Sequence, residues 1–364
     1  MTKKLIKLIS QLIVDILRVV IKFFYKKNVV LISSHFGFTG EAKYVYFNLI
    51  ETKCCDKIFW VYYKDKPNID SSHVLKKRTI SYFFYLVVSK YIVVSHRLAD
   101  VSYIKPKDCL LINVWHGEPL KKIGYDSEIE KEWIELQSYK YGYTEYDTWD
   151  FISVNNDRFR RKMLSATKID GSKVVCVPSM LHSRLSKKRV KPEGLNKNKI
   201  LYIPTFRPYP YNFDLMESKL LISYIEKNNI DFDIKFHPMY PVEKKVESEN
   251  VNILPSGIDI NEIYDFYDLI ISDYSSAIFD AEAVGIPSLL YIPDFIQYKN
   301  TIGGFYDKFE DLSFVLGVAS NEKDLVAKLN FILSTKEHTL NDDSSLKSSA
   351  NQVCYISSVV SAKN

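Results

Sequence analysis

The chain has 364 residues, 46% of them apolar, and a formal charge of +5. That length calls for two cores rather than one. The apolar share excludes a disordered chain, and so mild a charge excess is no nucleic-acid signature, although it suits an anionic substrate or an acidic membrane surface.

The first 27 residues read as one amphipathic helix. Lys4, Lys7, Gln11, Asp15, Arg18, Lys22 and Lys26 recur at steps of three or four, so they share a stripe, and leucine, isoleucine, valine and phenylalanine cover the rest. Asp15, Arg18 and Lys22 interrupt any membrane-spanning run, and no small-residue cleavage site follows. Two readings remain: a basic helix lying in a membrane interface, or a helix packed on the protein's own body. The former is expected, because the apolar face is wide and the stripe mostly cationic.

Apolar runs then alternate with helical stretches. "NVVLISSH", "KIFWVYYKD", "YIVVSH", "CLLINVWHG", "DFISVNN" and "SKVVCVPS" read as strands buried on both faces, with helices at "GEAKYVYFNLIET", around "SYFFYLVVSK" and at "DRFRRKMLSA". This βα rhythm predicts a parallel sheet between helices over residues 28–181. The aromatic stretch 127–150 is either a helix and loop over a cleft or a tyrosine-rich surface. Residues 182–199 are basic and poor in large apolar side chains, which predicts a linker. The rhythm restarts over 200–335 with "ILYIPTFRP", "DFDIKFHP", "VNILP", "DLIISDYSS" and "SLLYIP", and 336–364 is expected to form a helical tail that packs back. The fold class is therefore α/β, with two Rossmann-like domains whose parallel sheets face a central cleft, preceded by the amphipathic helix. Neither a Walker loop nor GxGxxG is present. The five cysteines (Cys54, Cys55, Cys109, Cys176, Cys354) form no CxxC pair and no zinc-spaced cluster, so reduced, buried thiols in a cytosolic protein are expected.

Four strand ends carry candidate chemistry. His116, in Trp115-His116-Gly117, can accept a hydroxyl proton, and Gly117 lets backbone approach a ligand, with Lys121 and Lys122 close behind. The plainer reading is a capped strand. Arg207 in "PTFRP" is either a surface arginine or a bidentate phosphate clamp. Lys235 and His237 in "KFHP" fall on one side of a strand, and His237 can donate to a phosphate oxygen. Ser272, Ser275 and Ser276 cluster at a strand-to-helix turn, where either serine can cap the helix or the free N–H groups and hydroxyls can bind an anion. Asp280 and Glu282 on that helix are either ribose acceptors or a solvated face.

"NVWHGEPLKKIGYD" resembles the "tWHGtPlKklG.D" segment of the CDP-glycerol glycerophosphotransferase family, which includes teichoic-acid primases and polymerases and capsule relatives. "SDYSSAIFDAEAVGIPSLLY", "YIPTFR", "KFHP", "SHFGFTGEAKYVYFNLI", "FWVYYKD" and "KYIVVSH" follow that family's pattern in order, over roughly residues 28–330. The resemblance implies a GT-B fold with an acceptor domain first and a CDP-alditol-binding domain second. It implies transfer of glycerol phosphate, or another alditol phosphate, to a hydroxyl of a lipid-linked or polymer acceptor at the cytoplasmic membrane face, with release of CMP. It casts His116 as the general base, His237 and Arg207 as holders of the donor diphosphate, Ser275 and Ser276 as phosphate binders, and Asp273 as a motif residue that orders its loop. No cofactor is implied, and no carboxylate pair near the motifs asks for a metal. Glycosyl transfer from a nucleotide sugar and a non-catalytic membrane scaffold are the competing readings. Three departures stand out: Glu118, where a small hydroxyl residue is usual; Pro208, where an acidic residue is usual; and "VPSMLHSRL", which replaces a glycine-proline-arginine segment. Glu118, as an anion beside the base, is expected to raise its pKa or alter acceptor choice.

Overall fold

A computed structural model describes residues 3–188, 198–211, 215, 217–237, 248–335 and 353–362. Two compact units emerge. The first opens with α1 (Lys3–Phe24) and continues through β1 (Val29–Ser33), α2 (Gly40–Thr52), β2 (Lys57–Tyr62), β3 (Val74–Lys76), α3 (Ile80–Val88), β4 (Ser89–Val94) and β5 (Leu110–Asn113). It then runs through α4 (Glu128–Tyr141), β6 (Phe151–Val154), α5 (Asp157–Thr167), β7 (Val174–Cys176) and α6 (Met180–Lys188). All described pairings are parallel, in the order β3-β2-β1-β4-β5-β6-β7. Every residue of β1 and β6 is buried, as helix-covered strands require.

The second unit holds β8 (Lys199–Ile203), α7 (Lys219–Lys227), β9 (Asp231–Ile234), β10 (Val251–Ile253), β11 (Leu269–Ser272), α8 (Ala277–Ala283), β12 (Ser288–Tyr291), α9 (Phe295–Ile302), β13 (Val315–Ala319) and α10 (Glu322–Ser334). Its sheet runs β10-β9-β8-β11-β12-β13. Both sheets thus reverse strand order once, at β1/β4 and at β8/β11, and in open α/β sheets ligands bind outside the carboxyl ends of the strands at such switch points.

The chain does not divide at one place. Residues 119–123 belong to the second unit, although both flanks belong to the first. Leu120 is buried in an apolar cluster with Tyr274, Ile278 and Phe309, Lys121 bridges to Phe305, and Lys122 N–H donates to Gly304 O. After the second unit the chain returns to the first as α11 (Tyr355–Ser361). Tyr355 N–H donates to Asn48 Oδ1 at 2.9 Å, Asn48 Nδ2 donates back to Val353 O at 3.2 Å, and Tyr355 OH pairs with Ser153 Oγ.

Three expectations change. The linker expected from 182 begins later, because α6 continues to Lys188, its start capped by Glu41, which accepts from Ser179 Oγ and the N–H groups of Met180 and Leu181; residues 189–197 lie outside the described residues, as do 336–352 of the tail. Cys54 and Cys354 form a disulfide across 300 residues of sequence, so the expectation of reduced thiols fails for that pair. Of the remaining thiols only Cys109 is buried; Cys176 is exposed. Spacing along a chain cannot reveal a pairing made by a returning helix.

Candidate active site

The first unit's chemistry collects at its switch point. His35 follows β1, His96 follows β4 and His116 follows β5, on three neighbouring strands. The rings form a chain, with His35 and His96 centred 5.3 Å apart and His96 and His116 5.4 Å apart. Asn113, fully buried, shapes the turn that ends β5. Its Oδ1 accepts from Trp115 N–H at 2.8 Å and its Nδ2 donates to His96 O at 2.9 Å. Trp115 is thereby held at φ 53°, rare for a residue with a side chain, and Gly117 follows at φ 120°, where glycine is required.

His116 emerges from that turn exposed on one side, with its ring stacked on Trp115 at 4.5 Å. Its Nδ1 lies 3.2 Å from Ser95 O. A carbonyl can only accept, so Nδ1 carries the hydrogen and Nε2 keeps the lone pair. Desolvation pushes the His116 pKa below the ordinary histidine range; the Ser95 bond partly opposes this, and His35 adds to it. His96 is lowered to about 3, through burial and then His116, Arg97 and His35. The arrangement is a neutral imidazole with one basic nitrogen, as a general base needs.

Glu118 is corrected by its surroundings. It is buried and points away to α5, accepting from Arg158 Nε at 2.6 Å, Lys162 Nζ at 2.7 Å and Asn156 Nδ2 at 3.1 Å. Burial alone would raise its pKa, but Arg158 and Lys162 outweigh that and hold it below the ordinary carboxylate range. Its charge is answered inside the unit, and it is not among the groups that shift His116.

In the second unit, β8 and β11 end side by side. Arg207 lies buried there: Nε and Nη2 donate to Asp294 at 2.7 and 3.0 Å, and Nη1 donates to Asp273 Oδ2 and to Thr205 O at 2.7 Å. Its cation is thus matched by two carboxylates and flanked by the rings of Tyr211, Tyr274 and Tyr298. These contacts brace the loop that carries Arg207. Asp273, fully buried, accepts from Thr205 N–H at 2.9 Å and Tyr274 N–H at 2.5 Å, so it too orders backbone. Asp294 accepts as well from Tyr209 and Tyr274 hydroxyls at 2.7 and 2.8 Å, a constellation that sequence reasoning missed. The run of tyrosines around "PTFRPYPY" and "SDYSS" was its only signal.

Half-buried Lys121 and exposed His237 supply further chemistry of this unit. His237 lies exposed beyond β9, its pKa lowered by desolvation and then by Lys121 and Lys235. Lys121 sits over the Tyr298 ring at 5.2 Å, and burial brings its pKa down to about 8 against the pull of Asp273, with Arg207 lowering it further. Lys122 is half-buried beside Gly304. Lys235, by contrast, is buried and donates to Phe236 O and Ser256 O. Ser275 and Ser276 precede α8, half-buried. Ser276 occupies the cap position in an αR conformation and its hydroxyl makes no cap bond; Ser275 Oγ instead accepts from Ala277 N–H at 3.2 Å. Ser272 Oγ is taken by Ile203 O. Among the described residues, no three His, Cys, Asp or Glu side chains group as metal ligands.

The profile of a family described as "CDP-Glycerol:Poly(glycerophosphate) glycerophosphotransferase" matches residues 16–362. A teichoic acid poly(glycerol phosphate) polymerase of Bacillus spizizenii is 27% identical over 337 residues, covering 82% of this chain and 80% of that protein. A teichoic acid glycerol-phosphate transferase of Staphylococcus aureus is 25% identical over 310 residues, 77% of this chain and 78% of its own length. Among solved structures, the wall teichoic acid polymerase TagF matches with a TM-score of 0.68 at 18% identity, over 92% of this chain and 83% of that one. The UDP-GlcNAc 2-epimerase of Methanocaldococcus jannaschii matches with a TM-score of 0.53 at 12% identity, over 92% and 99%. These two likenesses establish a GT-B-like fold.

Proposed function

The chain belongs to the CDP-glycerol:poly(glycerophosphate) glycerophosphotransferase family, and from that membership we propose that it transfers glycerol phosphate, or another alditol phosphate, from a CDP-alditol to a hydroxyl of a membrane-associated acceptor in the synthesis of a teichoic-acid or capsule-type polymer. The observation that carries this reading is His116, with Nδ1 fixed on Ser95 O and Nε2 left as a base.

In the proposed reaction Nε2 takes the acceptor's hydroxyl proton as its oxygen bonds to the phosphorus bearing the alditol. The bond from that phosphorus to the bridging oxygen breaks, and CMP leaves with the oxygen and its electron pair. Negative charge spreads over the phosphoryl oxygens, so positioned donors supply most of the rate. Lys121, His237 and the hydroxyls of Ser275 and Ser276 are the proposed donors to the diphosphate, with Lys122 and Gly117 near the substrates. Arg207 and Asp273 support the serines by bracing the loop that carries them.

Membrane association is proposed from α1. Its polar stripe faces the first unit: Arg18, buried, donates to Val87 O and Ser89 O at 2.6 and 2.7 Å, Gln11 to Lys105 O at 2.8 Å, and Asp15 accepts from Lys107 N–H. The opposite face leaves Leu12, Ile16, Val19, Phe23 and Phe24 between 56% and 81% exposed. An apolar face turned outward fits a peripheral seat in a cytoplasmic membrane surface. No helix among the described residues is long and apolar enough to cross one.

The test supplies CDP-glycerol or CDP-ribitol with a lipid-tailed glycerol-phosphate acceptor and measures CMP. Release is expected, with a loss of about 10²–10⁴-fold in His116→Asn at unchanged folding. Turnover of a nucleotide sugar instead would replace this reading with glycosyl transfer. Full function of His116→Asn in cells would replace it with a scaffold role.

A further inference from the structure

At the His35 end of the histidine chain, the first unit carries a cleft of about 290 Å³ beyond the carboxyl ends of β1 and β2. That volume lies at the small end for ligand sites, which suits one polyol phosphate and not a whole nucleotide. Ser34, His35, Tyr63, Lys64, Lys77 and Asp100 are among its lining residues. Lys77 Nζ donates to Ala99 O at 2.9 Å, which holds the ammonium on the lining, while Lys64 is exposed at the rim. Asp100 is committed elsewhere: it accepts from the N–H groups of His96 and Arg97 and stands 3.8 Å from His35 Nδ1. Asp65, exposed, is the lining's other carboxylate. The polar balance thus offers two ammonium groups, hydroxyls and an imidazole.

The cleft shares its wall with the base. Ser34 Oγ accepts from Ser95 Oγ at 2.8 Å, and the carbonyl of the same Ser95 fixes His116 Nδ1. Phe36, in the loop that carries Ser34 and His35, meets the His116 ring edge-on at 5.7 Å.

We propose that this cleft is the acceptor subsite: it holds the alditol-phosphate unit next to the terminal hydroxyl that His116 deprotonates, with the phosphate on Lys64 and Lys77 and polyol hydroxyls on Ser34 and Tyr63. The inference rests on the transferase reading above and adds to it which side chains hold the acceptor's phosphate, Lys64 and Lys77. Two lipid-tailed probes test it on the full chain, one ending in a glycerol-phosphate diester and the other a tail-matched neutral diglycerol. The wild type should prefer the phosphate probe. Lys64→Gln and Lys77→Gln should each lower the ratio of kcat/KM between the probes about tenfold, through KM, since one charge-assisted contact is lost. Lys64, being exposed, guards against a folding artefact at Lys77. An unchanged ratio in both variants overturns the proposal. Binding of sn-glycerol 3-phosphate, followed by calorimetry without donor, separates the two readings. Binding weakened in the variants alongside a wild type that releases no CMP upholds the cleft and sinks the transferase reading; binding equal in variants and wild type sinks the cleft alone.

Discussion

A lone pair on His116 Nε2 is useful only while the ring is neutral, and the desolvated setting that lowers its pKa keeps it so below the usual histidine range. Lys121 works in the opposite direction, since it must stay charged and its pKa is about 8. The pH profile of kcat/KM, which reports the free enzyme, should therefore hold on its acid side below pH 6.5 and fall on its basic side near pH 8; Lys121→Arg should move the basic limb upward, because a guanidinium does not lose its proton there. Glu118 makes a contrasting case. Glu118→Gln replaces a buried carboxylate that accepts from Arg158 and Lys162 with a neutral amide, at a cost of up to about 3–5 kcal/mol. Thermal unfolding should register that loss while the acid limb of the pH profile stays where it was. A shift of that limb would restore Glu118 as a tuner of the base. In the sequence, the strand ends that carry His116, His237 and the paired serines were legible as apolar runs stopping at polar residues. The bracing of Arg207 was not legible, because its two carboxylates lie 66 and 87 residues away. Glu118 was misread because its partners stand 38 to 44 residues on.

Among the elements, α1 is the one whose apolar and polar faces are reversed relative to an ordinary surface helix. Its cationic stripe is secured by carbonyls at the end of α3 and the start of β4, so the body receives charge and the outside receives leucine, valine and phenylalanine. Replacing Val19 and Phe23 together with serine should therefore leave folding intact and weaken binding to anionic liposomes at least tenfold in a flotation assay, each exposed apolar side chain contributing of order 1–2 kcal/mol when it enters lipid. Binding unchanged in that variant would remove the membrane role. Strands buried on both faces were legible as unbroken apolar runs, and helices as periodic ones. The edge strands β3 and β13 were not expected, because the one is three residues long and the other is mostly half-buried and holds Gly317, leaving neither pattern to read. The boundary of α6 was hidden as well, since its cap comes from Glu41 on a distant helix.

At the scale of the whole molecule, the chain's path matters more than its parts. Residues 119–123 pass through the second unit while the first is still incomplete, and α11 closes on α2 after the second is complete. Tyr355 is 1% exposed and anchors that return. Tyr355→Ala should cost about 3–5 kcal/mol. If the two units melt separately, only the transition of the first should fall; an equal fall in both would mean that they unfold as one. The sequence did suggest a tail that packs back, but the tether between Cys54 and Cys354 requires knowing which surface it reaches. That path also sets an order of manufacture. A ribosome releases every strand of the first sheet early, yet the segment that finishes this unit emerges only after the last strand of the second. A message cut short before α11 therefore yields no half-enzyme with a finished first unit: whatever the truncated product contains, the incomplete part is the one that bears His116.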